Sequence, residues 1–436
     1  MTTSSYAPSA ASNAWPMDVA ESHARGWSFA LRIAFRFVFS FIFLLIFPFP
    51  FGSFPGDVIP AFKLYDKAGS GLVSWVATHI FHFPPLKQAF LGLADATAGY
   101  VSLFCFVVIA ILATIVWTAL DRKRTAYRTL HEWLRIYARY MLAFTILGYG
   151  MDKVFALQFV SSQPGLLQMA EPFGNFSRIS VLWTFMGFST AYTVFTGLVE
   201  VLGAVLLFFR RTTTLGALIL CGAMTNVVML NFCYGVPVKL FSSSLLLLAI
   251  FLAAPEAKRL TNLLVLNRPT AAVDLKSPFR RQWMKVPHAV VKALIIAFAL
   301  YWYAGPFLRP NRVYASAPKS PLYGLYQVDS FTQDGKPVAA NDANWRRVIF
   351  DQKARMAVIA TDDSMHYYPT DYDGVENTVT ISDANKKSVL AYSRPDAEHL
   401  DLRGNFDNHA VAIELRKVDI SKFRLASEKF RWSFRY

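Results

Sequence analysis

Seven long apolar blocks separated by polar segments run from residue 31 to residue 307. A helix needs about 20 apolar residues to cross the hydrocarbon core of a bilayer, and most of these blocks come close to that length. A shorter apolar piece, residues 72–83, predicts an interfacial helix within a loop. The predicted spans are residues 31–50, 98–120, 136–155, 181–209, 214–232, 240–254 and 289–307.

Beyond residue 308 the pattern changes to a period of two. Short segments alternate apolar and polar positions between turn residues such as Asp373-Gly374, which is typical of antiparallel strands. We therefore predict a polytopic α-helical membrane protein with a C-terminal antiparallel β barrel or sandwich. The predicted strands are residues 347–350, 356–360, 365–368, 378–381, 389–392, 399–402, 410–415 and 430–434.

Composition and charge support this membrane assignment. The chain is 54% hydrophobic and only 17% charged, whereas soluble domains carry about a quarter charged residues. Its basic residues cluster after the second and the sixth spans, which predicts that these loops are cytoplasmic. We expect a multi-pass protein of a bacterial inner membrane, with a cytoplasmic amino terminus and an extracytoplasmic β domain. The net charge of +15 needs no nucleic-acid partner, because these loops explain it.

The expected organisation has five regions. They are a flexible cytoplasmic tail (residues 1–26), the first two spans with an extracytoplasmic loop (27–134), the third to sixth spans (135–255), a cytoplasmic loop with the seventh span (256–307) and the β-rich domain (308–436).

Glu200 lies inside the fourth predicted span. Lipid tolerates ionisable side chains poorly, so such a residue is a candidate functional site. Ser189, Thr193 and Thr196 recur on the same helical face, and this polar stripe is expected to face other helices or a wet cavity and to bind a ligand there.

Two roles for Glu200 stay open on the sequence. It can form a structural ion pair with Arg36 or Arg139, which lie at similar depths, or it can handle protons in a wet pocket. Lys153 is placed nearer the outer surface, so we expect no direct contact between Lys153 and Glu200.

A second polar cluster is predicted around Lys153 at the outer ends of the spans. Such a cluster can hold the polar head of an apolar ligand, and a quinone fits physically. Anchoring of helix ends at the interface explains the same residues equally well. Its candidate ligand-binding and catalytic members are Tyr149, Asp152, Gln158, Asn226 and Asn231.

The three cysteines form no redox or metal-binding motif. Cys105 is isolated, and Cys221 and Cys233 would stand roughly 18 Å apart on a straight helix, beyond disulfide reach. We predict no metal site, and the sequence assigns no cofactor beyond the possibility of a quinone.

Two segments resemble the DoxX-like superfamily of small helical membrane proteins. The first is Tyr149-Gly150-Met151-Asp152-Lys153, and the second, residues 196–207, is similar to the helix of that family that bears a glutamate. The resemblance covers about residues 139–254. It implies a four-helix bundle over residues 135–255, a redox association with quinone or sulfur metabolism, and Lys153 and Glu200 as the positions to test.

Two functional hypotheses follow. The first is a quinone- or sulfur-linked membrane oxidoreductase, or a subunit of one, with Glu200, Lys153 and Asp152 as catalytic candidates. The second is a non-enzymatic protein that binds or moves a lipophilic ligand or a partner protein, with the β domain as an extracytoplasmic docking module.

Overall fold

The computed structural model describes residues 26–50, 60–155, 157–159, 165–270, 318–338, 345–383 and 386–427, with single residues between 290 and 301. The helices are α1 (Phe29–Ile46), α2 (Pro60–His79), α3 (Thr97–Leu120), α4 (Arg128–Val154), α5 (Leu166–Ala170), α6 (Arg178–Phe188), α7 (Thr190–Leu207), α8 (Thr213–Cys233), α9 (Lys239–Ala253), α10 (Ala257–Leu264) and α11 (Arg424–Ser427).

Five helical segments in the described part of the chain are long and apolar enough to cross a membrane. This confirms a multi-pass membrane protein. The segments are Phe29–Ile46, Thr97–Leu120, Thr190–Leu207, Thr213–Cys233 and Lys239–Leu264, the last of which includes α9 and α10.

The prediction of seven spans differs from these five in three places. The third predicted span lies within α4, whose charged residues keep this helix out of the five candidate spans. The fourth, residues 181–209, is broken at Ser189 into α6 and α7. The seventh, residues 289–307, falls almost wholly outside the described residues. In addition, α2 is longer than the interfacial helix predicted over residues 72–83.

The chain divides into two compact units, residues 1–142 with 237–268 and residues 143–236 with 269–436. In the first unit, α2 packs against α3 through small apolar side chains such as Ala77 and Ala98. The Asp95 carboxylate, just before α3, accepts hydrogen bonds from the backbone N–H groups of Lys239 and Leu240 at 2.7 and 2.9 Å. It thereby satisfies donors that the first turn of α9 leaves without intrahelical partners.

The second unit contains the end of α4 from Ala143 onward, α5 to α8 and the β domain, whose strands form an antiparallel barrel. Strand β1 pairs with both β3 and β9, so eight strands close into a ring. The short β2 pairs antiparallel with the carboxyl-terminal end of β1. The strands are β1 (Lys319–Gln333), β2 (Lys336–Pro337), β3 (Arg347–Gln352), β4 (Arg355–Ile359), β5 (Met365–Asp373), β6 (Thr378–Asp383), β7 (Lys386–Ser393), β8 (His399–Phe406) and β9 (His409–Lys417).

The barrel confirms the predicted β fold class and adds two strands that the pattern missed, β1 and the short β2. Seven of the eight predicted segments fall on β3 to β9, and residues 430–434 lie outside the described residues. Strand β1 escaped prediction because Pro321, Gly324 and a register shift between Lys319 and Gly324 interrupt its alternation. Closure removes the exposed sheet edges that would otherwise invite pairing with other chains.

Side chains fill the barrel interior. Phe350, Met356 and Leu402 are fully buried there, which gives a packed core and not an open channel.

The short helix α5 packs on the outer surface of the barrel. Leu166 and Ala170 are buried in one cluster with Leu325, Ile349 and Ile359 of strands β1, β3 and β4. Helix α5, in the connection between α4 and α6, is therefore held against the β domain by apolar contacts. A hydrogen bond from the Asn175 side chain to the carbonyl oxygen of Asp363 adds a polar contact of 2.7 Å.

Candidate functional site

Helices α4 and α7 approach each other closely because glycines face each other at their crossing. A Cβ atom added to Gly197 would lie 2.7 Å from the carbonyl oxygen of Gly150 and 2.7 Å from the Cβ of Lys153. Any larger side chain would push the two backbones apart. Small residues at helix interfaces are a common means of close packing in membranes.

Helices α7 and α8 meet in the same way six residues further along α7, at Gly203. A Cβ on Gly216 would lie 2.8 Å from the carbonyl oxygen of Gly203, and a Cβ on Gly203 would meet the side chain of Leu220 at 2.5 Å. These contacts fix the rotation of α7 between α4 and α8 within the second unit.

The glycine contact between α4 and α7 places Lys153 against Glu200. Each residue lies three positions after its glycine, and the Lys153 ammonium donates to Glu200 Oε1 at 2.6 Å and to Oε2 at 2.7 Å. Lys153 is 7% exposed and Glu200 is 3% exposed. The prediction that these residues do not touch is therefore wrong.

The predicted pairing of Glu200 with Arg36 or Arg139 is likewise corrected, since Lys153 holds both carboxylate oxygens. Arg36 is buried in the first unit, where it donates to the Tyr127 hydroxyl, the Thr118 hydroxyl and the carbonyl oxygen of Asp121. The Arg139 guanidinium lies over the Tyr140 ring, 5.2 Å from its centroid. The Arg36 guanidinium also lies over the Tyr127 ring, 5.2 Å from its centroid. Neutral oxygens and this aromatic ring thus stabilise Arg36 without a glutamate.

A cavity of about 270 Å³ opens beside the Lys153–Glu200 pair, and we call it the inner cavity. It lies among the end of α4, the residues that follow it, α6, α7 and α8. Its polar lining comprises Lys153, Gln158, Tyr192, Thr196, Glu200, Asn226 and Asn231. Its apolar lining comprises Phe159, Leu182, Trp183, Phe185, Met186, Phe195, Val199, Ala223, Val227 and Leu230.

The inner cavity brings together six of the ten residues predicted as catalytic or ligand-binding. These are Lys153, Gln158, Thr196, Glu200, Asn226 and Asn231. The other four do not line it. Asp152 has an exposed side chain, and its carbonyl oxygen accepts hydrogen bonds from the backbone N–H groups of Leu157 and Gln158. Tyr149 is 40% exposed on α4.

Ser189 and Thr193 stabilise the helix break instead of lining the cavity. The Ser189 hydroxyl accepts a hydrogen bond from the backbone N–H of Tyr192 and caps α7. The Thr193 hydroxyl donates to the carbonyl oxygen of Met186 at 2.5 Å, across the break between α6 and α7. Ser189 and Thr193 of the predicted polar stripe therefore stabilise the backbone at the break. Only Thr196 and Glu200 of the stripe line the inner cavity.

The aromatic wall of the inner cavity was missed by the sequence analysis. Phe159 and Trp183 meet edge to face at 5.4 Å between ring centroids, and Phe185 contacts Tyr192 in the same manner at 5.7 Å. In a Phe-rich membrane protein such residues carry no distinguishing pattern, because any lipid-facing position favours the same residue types.

The described residues contain no group of three or more His, Cys, Asp or Glu side chains that could hold a metal ion. Cys105, Cys221 and Cys233 are free thiols. The chemistry available at the inner cavity is therefore one cation, one carboxylate and neutral amides and hydroxyls against aromatic walls.

Comparison with known proteins adds one relative. No protein-family model matches the chain, and no solved structure matches it. The uncharacterized protein YwoB of Bacillus subtilis (strain 168) is 35% identical over 114 residues, which make up 26% of this chain and 71% of YwoB. The chain belongs to the same family as YwoB. YwoB brings no described activity with it, and the resemblance to the DoxX-like superfamily stays a prediction.

Proposed function

We propose that the inner cavity binds the polar head of a lipophilic ligand, and that this ligand is of the quinone class. One observation carries the proposal: a buried Lys153–Glu200 pair borders a cavity whose other walls are largely aromatic and aliphatic. A ligand site of this kind combines apolar walls with a few convergent polar groups.

A quinone uses both members of the pair. A quinone carbonyl oxygen accepts a hydrogen bond from the Lys153 ammonium, and the hydroxyl group of the reduced quinol donates to Glu200. Asn226 and Asn231 add amide groups to the lining on the α8 side. The volume of about 270 Å³ equals that of about nine water molecules in the liquid, enough for a substituted ring but not for an isoprenoid tail.

A redox role is the first use of this site that we propose. Together with the predicted DoxX-like relationship, it makes the protein a quinone- or sulfur-linked oxidoreductase or a subunit of one. In reduction of a quinone, two electrons come from a redox partner protein and one proton is added to each of the two oxygens. Lys153 donates one of these protons, and Glu200 donates the other after it has taken a proton from water. Asp152, being exposed, lies outside this chemistry.

A non-enzymatic role is the second candidate. In it the protein binds or moves a lipophilic ligand, and the β barrel docks a partner protein. The contact between α5 and the barrel supports this idea, because the same loop contributes Gln158 and Phe159 to the inner cavity. For both roles we propose that the amino terminus is cytoplasmic and the barrel extracytoplasmic, on the basis of the basic loops.

The deciding experiment identifies what the protein carries. We expect mass spectrometry and ultraviolet absorption of gently purified protein to detect a bound quinone. Glu200→Gln and Lys153→Met should lose it, whereas Glu256→Gln, in a pair with Arg259 that does not line the inner cavity, should keep it. Quinone turnover with an added electron donor that slows in the two cavity variants supports the oxidoreductase. Binding without turnover supports the carrier role, and equal ligand content in all variants overturns the site.

A further inference from the structure

A second cavity of about 490 Å³ lies on the other side of Gln158, Phe159 and Trp183, which line both cavities. We call it the outer cavity. It is lined by residues 158–159, by residues between Leu167 and Gly187 and by strands β4 and β5 of the barrel, all within the second unit. Its remaining lining comprises Leu167, Gln168, Glu171, Phe176, Ile179, Ser180, Thr184, Gly187, Arg355 and Tyr367.

The lining of the outer cavity contains one charged side chain of each sign, Glu171 and Arg355. Glu171 follows α5, and among the described residues no hydrogen bond or ion pair reaches its carboxylate. Burial raises the pKa of this carboxyl group. Arg355 begins strand β4 on the barrel side. Its Nη2 donates to Asp351 at 3.1 Å, which leaves its buried Nε without a hydrogen-bond partner in the described part of the chain.

Tyr367 lines the same cavity and is influenced by both charges. The Arg355 guanidinium lies 5.7 Å from the centroid of the Tyr367 ring. Burial and the negative charge of Glu171 raise the pKa of the Tyr367 hydroxyl, and the positive charge of Arg355 opposes them. Glu171, Arg355 and Tyr367 line the same cavity, so one ligand bound there can contact all three. A third group, the buried Oε1 of Gln158, also lacks a donor among the described residues.

Buried polar atoms without partners are rare in proteins, because each costs free energy that a ligand or water recovers. Arg355 Nε and Gln158 Oε1 are two such atoms, and the partly exposed Glu171 carboxylate lines the same cavity. A ligand for all three groups needs an anionic oxygen for Arg355 Nε and N–H donors for Glu171 and Gln158. Phe159, Phe176 and Ile179 give the same cavity an apolar side. A zwitterion attached to an apolar body meets all of these requirements.

We propose that the outer cavity binds the headgroup of a phospholipid that carries a phosphate and a primary ammonium, as in phosphatidylethanolamine. The phosphate accepts from Arg355 and the ammonium donates to Glu171. The five candidate spans indicate a membrane protein, so phospholipids surround the chain. A quaternary ammonium, as in phosphatidylcholine, has no N–H group and cannot donate to Glu171. Free compounds with the same phosphate and ammonium share this chemistry.

Native mass spectrometry of the full chain, purified in the presence of equal amounts of phosphatidylethanolamine, phosphatidylcholine and phosphatidylglycerol, tests the proposal. We expect one retained phosphatidylethanolamine. Arg355→Gln should reduce retention about tenfold, since a charge-assisted hydrogen bond is lost. Glu171→Gln should abolish the preference over phosphatidylcholine. Lys353→Gln removes an exposed charge two residues from Arg355 and outside the cavity, so retention should not change.

Further measurements distinguish a bound lipid from a bound soluble compound and define the results that would overturn the proposal. Displacement of the lipid by soluble phosphoethanolamine at comparable concentration supports the same site with a free compound as its source. Equal retention of the three lipids by the unaltered chain overturns the proposal, as does unchanged retention in both Arg355→Gln and Glu171→Gln. Glu200→Gln should not alter lipid retention, so failure at the inner cavity and failure at the outer cavity are distinguishable.

Discussion

The Lys153 ammonium lies 2.6 Å from Glu200 Oε1, and both side chains are buried between helices. Two charges removed from water are stable together only when each satisfies the other, so each residue depends on its partner. The geometry of this pair rests on the glycine contact between α4 and α7.

Removal of one partner should destabilise the protein more than removal of both. Lys153→Met or Glu200→Gln alone leaves an uncompensated buried group, and we expect a loss of about 3–5 kcal/mol for an uncompensated charge. The double variant should recover a large part of this loss. Unfolding of the unaltered chain, the two single variants and the double variant in a detergent series measures the coupling free energy between Lys153 and Glu200. Strictly additive losses would contradict the pairing.

Gly197→Ala should separate α4 from α7 and disturb the ion pair. The new Cβ atom would lie 2.7 Å from the carbonyl oxygen of Gly150, and overpacking of this kind costs about 1–3 kcal/mol. Gly222→Ala is the matched control, because no atom lies within 4 Å of the added Cβ on α8. Melting temperature and ligand content should fall only in Gly197→Ala. Equal effects of the two changes would contradict this prediction, because they would show that helix propensity and not the close approach of α4 and α7 determines the change in stability.

Leu166→Ala should loosen α5 from the barrel. Leu166 is 1% exposed in its contact with β1, β3 and β4, and truncation of a fully buried leucine costs about 2–5 kcal/mol. We expect a protease to cleave residues 157–180 faster in this variant. Leu425→Ala removes a leucine that is 48% exposed and serves as the control. Unchanged cleavage in Leu166→Ala would contradict the docking of α5.

Asp95 should make the first unit sensitive to acid. Burial opposes ionisation, but hydrogen bonds from the backbone of Leu240 and Lys239 and from the Lys239 ammonium lower the pKa of Asp95 overall. A lowered folded-state pKa gives stability that is complete above the unfolded value of about 3.9 and is lost as the pH falls through the folded value.

The matching measurement compares unfolding of the unaltered chain and Asp95→Ala at pH 7 and below pH 4. Asp95→Ala should cost about 1–3 kcal/mol at pH 7, because it leaves the donors at the start of α9 without their acceptor. The difference between the two proteins should shrink in acid. Asp66→Ala changes an exposed carboxylate on α2 and should have little effect at either pH.

Labelling of Val375→Cys tests the proposed orientation. Val375 is 88% exposed in the turn between β5 and β6, so a thiol there reacts readily. With the three native cysteines replaced, a membrane-impermeant maleimide should label intact spheroplasts. Labelling only after membrane disruption would place the barrel in the cytoplasm, and the parent chain without cysteines controls for background.

The sequence determined the presence of membrane helices, the β domain and most of the polar residues of the inner cavity. Apolar length and period-two alternation are local properties, and so is the cost of a glutamate in lipid, which singled out Glu200. Asn226 and Asn231 were likewise recognisable as polar groups on an apolar helix. All of these inferences can be made without information on which helices are in contact.

Only the tertiary structure decided how these residues meet. The expected depth of Glu200 assumed one straight helix over residues 181–209, whereas the break at Ser189 starts α7 only ten residues before Glu200. A break in the helix changes the depth that each residue of α7 reaches, so the depth of Glu200 cannot be calculated from one straight span. The glycine contacts, the closure of the barrel by β1 with β9 and the attachment of α5 join residues distant in sequence. Packing and not local preference determines such contacts.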